Sequence, residues 1–389
     1  MIGDLTLPGN YLPEACKGCV VVHGAHPLIL GVVPSHGHDP PYQWDPESKV
    51  FTVANPSAFP CFTYVTFCGV DVRTRTGDFF DPGITRDEYG QERPAVTFVV
   101  VVHAHTAVRL GRVAVDSRVD LQPSDFYAIE LERLLPPPVH TPSASTATAS
   151  ISPSEPDEID AAARGAKRSD GSIGGLPLIG FPLPEACGPY LCTQGVGGHL
   201  THFFPESYHA IDLRCSCRTP VLSVGDGVVK EVVESHRCGG IHASNLAAWN
   251  AVSVRLDSGF VVEYLHTLPG SARVKVGDAV RLGQVICETG DIGFAPEPHL
   301  HIELHDADDA DGPSLPFLFG RGPASKGAFV PAAGRWYSAD GEASVGVTDP
   351  NGGSNANRVA AKAAQPPCGH RLGGDGGCGG ETNEGRGLD

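Results

Sequence analysis

A chain of 389 residues carrying 48 glycines and 34 prolines has the length for roughly two or three folded units and a composition of loops, turns and β structure rather than of a helical bundle. Its formal net charge of −17 argues against nucleic acid or anionic membrane as partner, since either needs a basic footprint. The longest strongly apolar run, AVTFVVVV at residues 95–102, is too short for a transmembrane helix, and the opening MIGDLTLPGN lacks the basic start and apolar core of a signal peptide, so a cytoplasmic location is the default expectation.

Residues 1–135 read as β-rich. Short runs heavy in Val, Phe, Tyr and Thr (KGCVVVHGAH, KVFTVA, CFTYVTFCGVDVR and AVTFVVVVHAHTAVRLGRVAV) are separated by Pro, Gly and Asp clusters, the pattern of an antiparallel sandwich or barrel-like domain. The pair His103 and His105 has no carboxylate following at a recognisable interval and reads as solvated surface. Residues 136–175 change abruptly to a stretch rich in Pro, Ser, Thr and Ala without hydrophobic period; it cannot bury enough to offset its ordering entropy and is expected to be a linker. Residues 323–389 drift into Gly-rich sequence and read as a disordered tail. Twelve cysteines occur, several in close pairs such as Cys16 with Cys19 and Cys187 with Cys192, but no two CxxC units stand at zinc-ribbon or finger spacing.

Residues 176–322 carry the chemistry. YHAIDL (208–213), TPVLSVGDGVVKEVVE (219–234), NAVSVRLDSGFVVEYLH (250–266), VKVGDAVRLGQVICETG (274–290) and PHLHIELHD (298–306) alternate apolar and polar positions with Gly at the bends, which predicts a sheet with one face in the core. Asp212 stands among Ala210, Ile211 and Leu213, and a carboxylate in an apolar strand is costly unless paired or bound to a metal. His299 and His301 are two apart in an extended segment, so they look into the same space while Leu300 and Ile302 face the other way. Two imidazoles converging on one point suit zinc, which takes about four N, O or S donors. No HExxH occurs, so a glutamate base on a helix is not the chemistry available.

On AIDL followed by TPVLSVGDGVV, on EYLH, on VKVGDAVRLGQVI and on GFAPEPHLHIE, all in one order, this segment resembles the lysostaphin-type (LytM-like) zinc metallopeptidases, which cleave peptide cross-links of bacterial peptidoglycan. The resemblance covers 176–322 and leaves out the N-terminal region, the linker and the tail. It implies a mainly β protein whose peptidase domain is an antiparallel sheet of the β-barrel-sandwich hybrid (duplicated hybrid motif) type around one Zn2+. Carried over by position, Asp212 and His301 become metal ligands, and His266 and His299 the non-ligand catalytic histidines. The family's usual first histidine, four before the Asp, is Tyr208 here. Of the neighbours, His209 would fall on the face opposite Asp212 by strand alternation, which favours His202 arriving from a preceding loop; His199 comes third.

Smaller roles are expected nearby. Asn250 matches a groove position or caps a turn, Tyr264 lines the cleft or packs across strands, and Glu303 and His305 extend the histidine face as imidazole partners or as plain surface. The function implied is a zinc-dependent metalloendopeptidase with peptide or peptidoglycan as substrate, a water in the fourth zinc position and proton transfer by His266 and His299. Its alternative is an inactive member of the same fold kept as a binding or scaffold module. A lipoyl- or biotinyl-type carrier, which VKVGDAVRLGQVI also resembles, needs an exposed hairpin Lys that the sequence does not offer there. Extracellular action would follow from the resemblance, against the cytoplasmic default, and nothing sets an oligomeric state.

Overall fold

Valine, threonine and aromatic residues, which pack well on a pleated half-buried surface, fill a mainly β structure. The computed structural model describes residues 10–12, 15–69, 80–111, 123–130, 175–321 and 327–343. Apart from Gly175, the expected linker at 136–175 lies outside them, as does the tail beyond residue 343. Among the described residues no helix is long and apolar enough to cross a membrane.

In the N-terminal part, the strands Ile29–Pro34, Thr106–Leu110, Val50–Asn55 and Tyr42–Asp45 form an antiparallel sheet in that order. It packs on a second sheet built on the Glu92–Val102 strand, flanked by Cys61–Cys68 on one side and by Gly83–Arg86 and Cys19–Val22 on the other. Phe51, Val53 and Leu110 of the first sheet meet Phe67, Val96, Phe98 and Val100 of the second, with Phe51 and Phe67 edge to face at 5.2 Å. The result is the sandwich of the two expected forms.

The continuous apolar run of residues 95–102 has a physical reason: both of its faces are covered. Val96, Phe98 and Val100 look into the sandwich, whereas Ala95, Val99 and Val101 look outward onto Leu200, Phe203, Ile241 and Phe294 of the C-terminal part. Phe62 stacks on Phe203 at 3.9 Å, and the Tyr64 hydroxyl donates to the Leu200 carbonyl. The backbone joins as well. Gly239–Gly240 pairs antiparallel with Gly83–Arg86 and parallel with Gly293–Phe294, so the N-terminal sheet continues into the C-terminal part. Arg86 closes this joint with a bidentate pair to Asp291 at 2.6 and 2.7 Å.

The C-terminal part is organised on a sheet in the order Ala279–Val280, Gly227–Val233, Ala251–Leu256, Phe260–Leu265, His299–Asp306, Ile211–Arg214, Tyr190–Gln194, Trp336–Ser338, Gly341–Glu342. A small antiparallel pair, Pro220–Leu222 with Val285–Glu288, contributes Val221 and Ile286 to the core beneath it. Ile211, Leu213, Val254, Val262, Tyr264, Leu300, Ile302 and Leu304 fill that core; each such large side chain stabilises by about 1.5–3 kcal/mol on burial. The tail expected from residue 323 therefore begins too early. Composition hid two short strands there, whose Trp336 and Tyr337 attach them to Tyr190–Gln194 and to the core.

Candidate metal centre

The central strands place their acids and imidazoles by simple alternation. In His299–Asp306, Leu300, Ile302 and Leu304 are sealed in the core, which turns His299, His301, Glu303 and His305 to the opposite face. Ile211–Arg214 lies antiparallel beside it with Asp212 opposite His301. Asp212 Oδ1 and His301 Nδ1 are 2.9 Å apart. His202, fully buried, comes from the loop after Tyr190–Gln194 and puts Nε2 at 3.2 Å from both of those atoms.

Gln194 holds that loop in place. Its side-chain oxygen accepts the backbone N–H groups of Leu200 and Thr201, each at 3.0 Å, while its amide donates to Thr201 Oγ1 at 2.8 Å and to Asp212 Oδ2 at 2.9 Å. Sequence reasoning missed this residue. The signal available was a long polar side chain closing the apolar stretch YLCT, in a strand whose five residues are all buried.

Hydrogen bonding fixes the tautomers. A carbonyl oxygen only accepts, so the Nδ1 atoms of His202 (to Gly195, 3.0 Å), His266 (to Ile292, 2.6 Å) and His299 (to Glu297, 2.8 Å) carry protons. In a neutral ring so held, Nε2 is the atom that keeps the lone pair. His301 is the mirror case: Nε2 donates to Glu303 Oε2 at 3.1 Å and Nδ1 faces Asp212. Three electron-rich atoms thus meet at 2.9 to 3.2 Å, and a positive charge must sit among them. Without a metal that charge is a proton. Burial opposes an imidazolium at His301, but Glu303 and Asp212 outweigh it and bring its pKa to about 10. Burial likewise opposes the Asp212 carboxylate, and the surrounding histidines still hold it well below the usual range. A tetrahedral ion with bonds of about 2.0–2.1 Å has donor edges of about 3.3–3.4 Å, so it would fit here with a few tenths of an ångström of spreading. The residues present suit a divalent metal.

His266 and His299 stand beside this trio. Their ring centroids are 4.5 Å apart, and His299 Nε2 lies 3.6 Å from Asp212 Oδ1. Burial, followed by the neighbouring His299 and His301, pushes the His266 pKa well down and keeps it a neutral base. Alternation alone would have sent His266 to the core with Tyr264. A left-handed backbone, φ 62°, ends the strand and swings the ring back to the metal face.

The remaining candidates sort plainly. His209 turns away, its Nδ1 on the Ser314 carbonyl at 2.8 Å, and His199 packs its ring 6.0 Å from that of Tyr11. Tyr264 is wholly in the core with its hydroxyl accepting the Val224 N–H at 2.9 Å. Asn250 is buried and holds the extended chain at His236, accepting its N–H and donating to its carbonyl. Glu303 partners His301 and is buried, not surface. His105 forms an exposed turn with φ 55° and takes no part. Arg214 reaches Glu297 at 2.7 Å and so pins the turn that delivers His299.

Two imidazoles and a carboxylate converging on one point, with the rings of His266 and His299 beside them, form an arrangement that could hold a divalent metal and move protons next to it. Residues 206–313 match the model of peptidase family M23; Asp212, His266, His299 and His301 fall inside the matched segment and His202 just before it. The chain is 29% identical over 97 residues to an uncharacterized metalloprotease of Buchnera aphidicola, a match covering 25% of this chain and 23% of that protein. It is 28% identical over 117 residues to the glycyl-glycine endopeptidase ALE-1 of Staphylococcus capitis, covering 30% of this chain and 27% of that one. Against the peptidoglycan DD-endopeptidase ShyC of Vibrio cholerae it is 29% identical over 99 residues, covering 25% and 20%. The match spans about a quarter of the length of these relatives.

Proposed function

We propose that the chain is a zinc-dependent endopeptidase that hydrolyses peptide bonds in peptidoglycan cross-links. The observation that carries this reading is the meeting of His202 Nε2, Asp212 Oδ1 and His301 Nδ1 within 3.2 Å, each imidazole tautomer set so that its lone pair faces inward. Two imidazoles and one carboxylate are a donor set that suits zinc, and the endopeptidase relatives support the substrate class. When bound, such an ion polarises the scissile carbonyl and acidifies water.

His202, Asp212 and His301 would hold the ion, with Gln194 and Glu303 fixing their orientation. His299 and His266 supply the proton transfers. The Nε2 atom of one accepts the proton of the attacking water as the C–O bond forms, and a proton from this pair then passes to the leaving nitrogen as the C–N bond breaks. Their Nδ1–H groups, anchored to Glu297 and Ile292 carbonyls, keep both rings oriented throughout. The complete donor set favours this reading over a non-catalytic scaffold of the same fold.

The test is hydrolysis of purified peptidoglycan by the full chain. Activity is expected to vanish on chelation, to return with Zn2+, and to be lost in His301→Ala and Asp212→Asn. His209→Ala, whose ring faces Ser314, should stay within a few-fold of the unaltered chain. Undiminished hydrolysis by His301→Ala would remove the proposal.

A further inference from the structure

The histidine face of the His299–Asp306 strand does not stop at His301. Glu303 and His305 continue it, and Glu263 lies directly across from Glu303 on the neighbouring Phe260–Leu265 strand. One carboxylate oxygen from each glutamate and a ring nitrogen of His305 all fall within 4.8 Å of one another. His305 is 3% exposed. Its Nδ1 stands 3.0 Å from the Gly312 carbonyl, which only accepts, so Nδ1 carries the proton. Its Nε2 is buried without a hydrogen-bond partner and is aimed at Glu303 Oε1, 3.6 Å away.

Two carboxylates facing a buried ring nitrogen in a largely dry setting need a positive charge among them, either a proton on Nε2 or a bound cation. Lys230, the basic side chain in range of Glu263, is itself exposed. Ser253 Oγ donates to Glu263 at 3.3 Å and satisfies only part of one carboxylate. Glu263 is half-buried, which leaves a route from solvent.

We propose that Glu263, Glu303 and His305 form a second divalent-cation site beside the first, taking a transition ion of the Zn2+ or Mn2+ class. One imidazole and two carboxylates are the donors such ions accept. Glu303 belongs to both clusters: Oε2 receives the Nε2–H of His301 and Oε1 faces His305. The inference stands on this cluster alone and does not need the peptidase reading.

The experiment titrates the metal-stripped full chain with Zn2+ alone and counts bound ions per chain, with thermal unfolding to verify that each variant folds. Two ions are expected in the unaltered chain, one in His305→Ala, one in Asp212→Asn and none in the double variant. Glu263→Gln, a near-isosteric change at a half-buried position, should weaken the second ion at least ten-fold and keeps the test available if His305→Ala fails to fold. A single ion that disappears with Asp212→Asn and is indifferent to His305→Ala and Glu263→Gln overturns the second site; that result is also what an imidazolium at His305 would give. A single ion lost with His305→Ala and indifferent to Asp212→Asn would instead defeat the zinc peptidase reading and leave this one standing.

Discussion

Gln194 bears no charge, and its bonds go to Leu200, Thr201 and Asp212, yet the His202 loop hangs on it. Replacing it by Ala strands the Leu200 and Thr201 N–H groups, at about 1–3 kcal/mol for each buried unpaired group, and frees Asp212 to rotate. Gln194→Ala is therefore expected to weaken metal binding by roughly 10–100-fold, measured by competition with a chelating dye. His299→Ala should separate from it: bound metal unchanged and turnover down by roughly 10²–10⁴-fold, read from metal content beside initial rates. What the sequence could tell at this scale followed from the strand period. The pair His299 and His301 comes straight from alternation, and HLH is legible for that reason; His209 lies in the turn before the Ile211–Arg214 strand, where alternation has no hold, and is turned away by its bonds to Ser314. Alternation alone misplaces His266, whose position depends on one left-handed backbone angle and which only the EYLH resemblance singles out; Gln194 is not legible at all, because its partners are backbone amides six and seven residues on.

At the level of elements, the joint between the two β regions is made of glycines that the sequence showed only as bends. Gly240 has φ +88°, and a Cβ there would lie 2.1 Å from the Ile84 carbonyl oxygen. Gly240→Ala is expected to destabilise the chain by at least ~2 kcal/mol, from the left-handed backbone and the forced separation of the strands together, which a denaturant midpoint would report. Two-residue strands such as Gly239–Gly240 and Gly293–Phe294 carry no apolar alternation, so no periodicity could have announced them. The His299–Asp306 strand was readable from its strict alternation, and Cys61–Cys68, buried on both faces, from its run of aromatic and β-branched residues. One ion pair ties the Ala243–Ala247 turn to the N-terminal part: His242 Nε2 lies 2.9 Å from Asp125 Oδ1. Burial opposes its charge, but Asp125 and Cys68 raise its pKa to about 9. A raised folded-state pKa means stabilisation that is full below the unfolded value near 6.5 and fades as pH climbs through 9. Thermal unfolding followed from pH 6 to 10 should show a loss across that window that His242→Gln lacks.

For the molecule as a whole, the N-terminal sandwich and the metal-bearing part share both a sheet and an apolar contact. Ile241, Leu200, Phe203 and Phe294 would be bared if residues 176–343 were produced alone, along with the open backbone edge of Gly239–Gly240. That fragment is expected to unfold at lower temperature than the full chain and to self-associate, observable by size-exclusion chromatography with light scattering. The shared sheet also has a consequence for synthesis. One edge of Gly83–Arg86 pairs with the Glu92–Val102 strand, but its other edge is matched by residues 239–240, which in turn pair with residues 293–294, so a ribosome releases the first half of this polypeptide with a sticky border that stays unmatched until most of the second half has emerged. Such a delayed match is the kind of interval in which nascent chains recruit chaperones or tangle with one another, and yield in a heterologous host should depend on how quickly that interval is crossed.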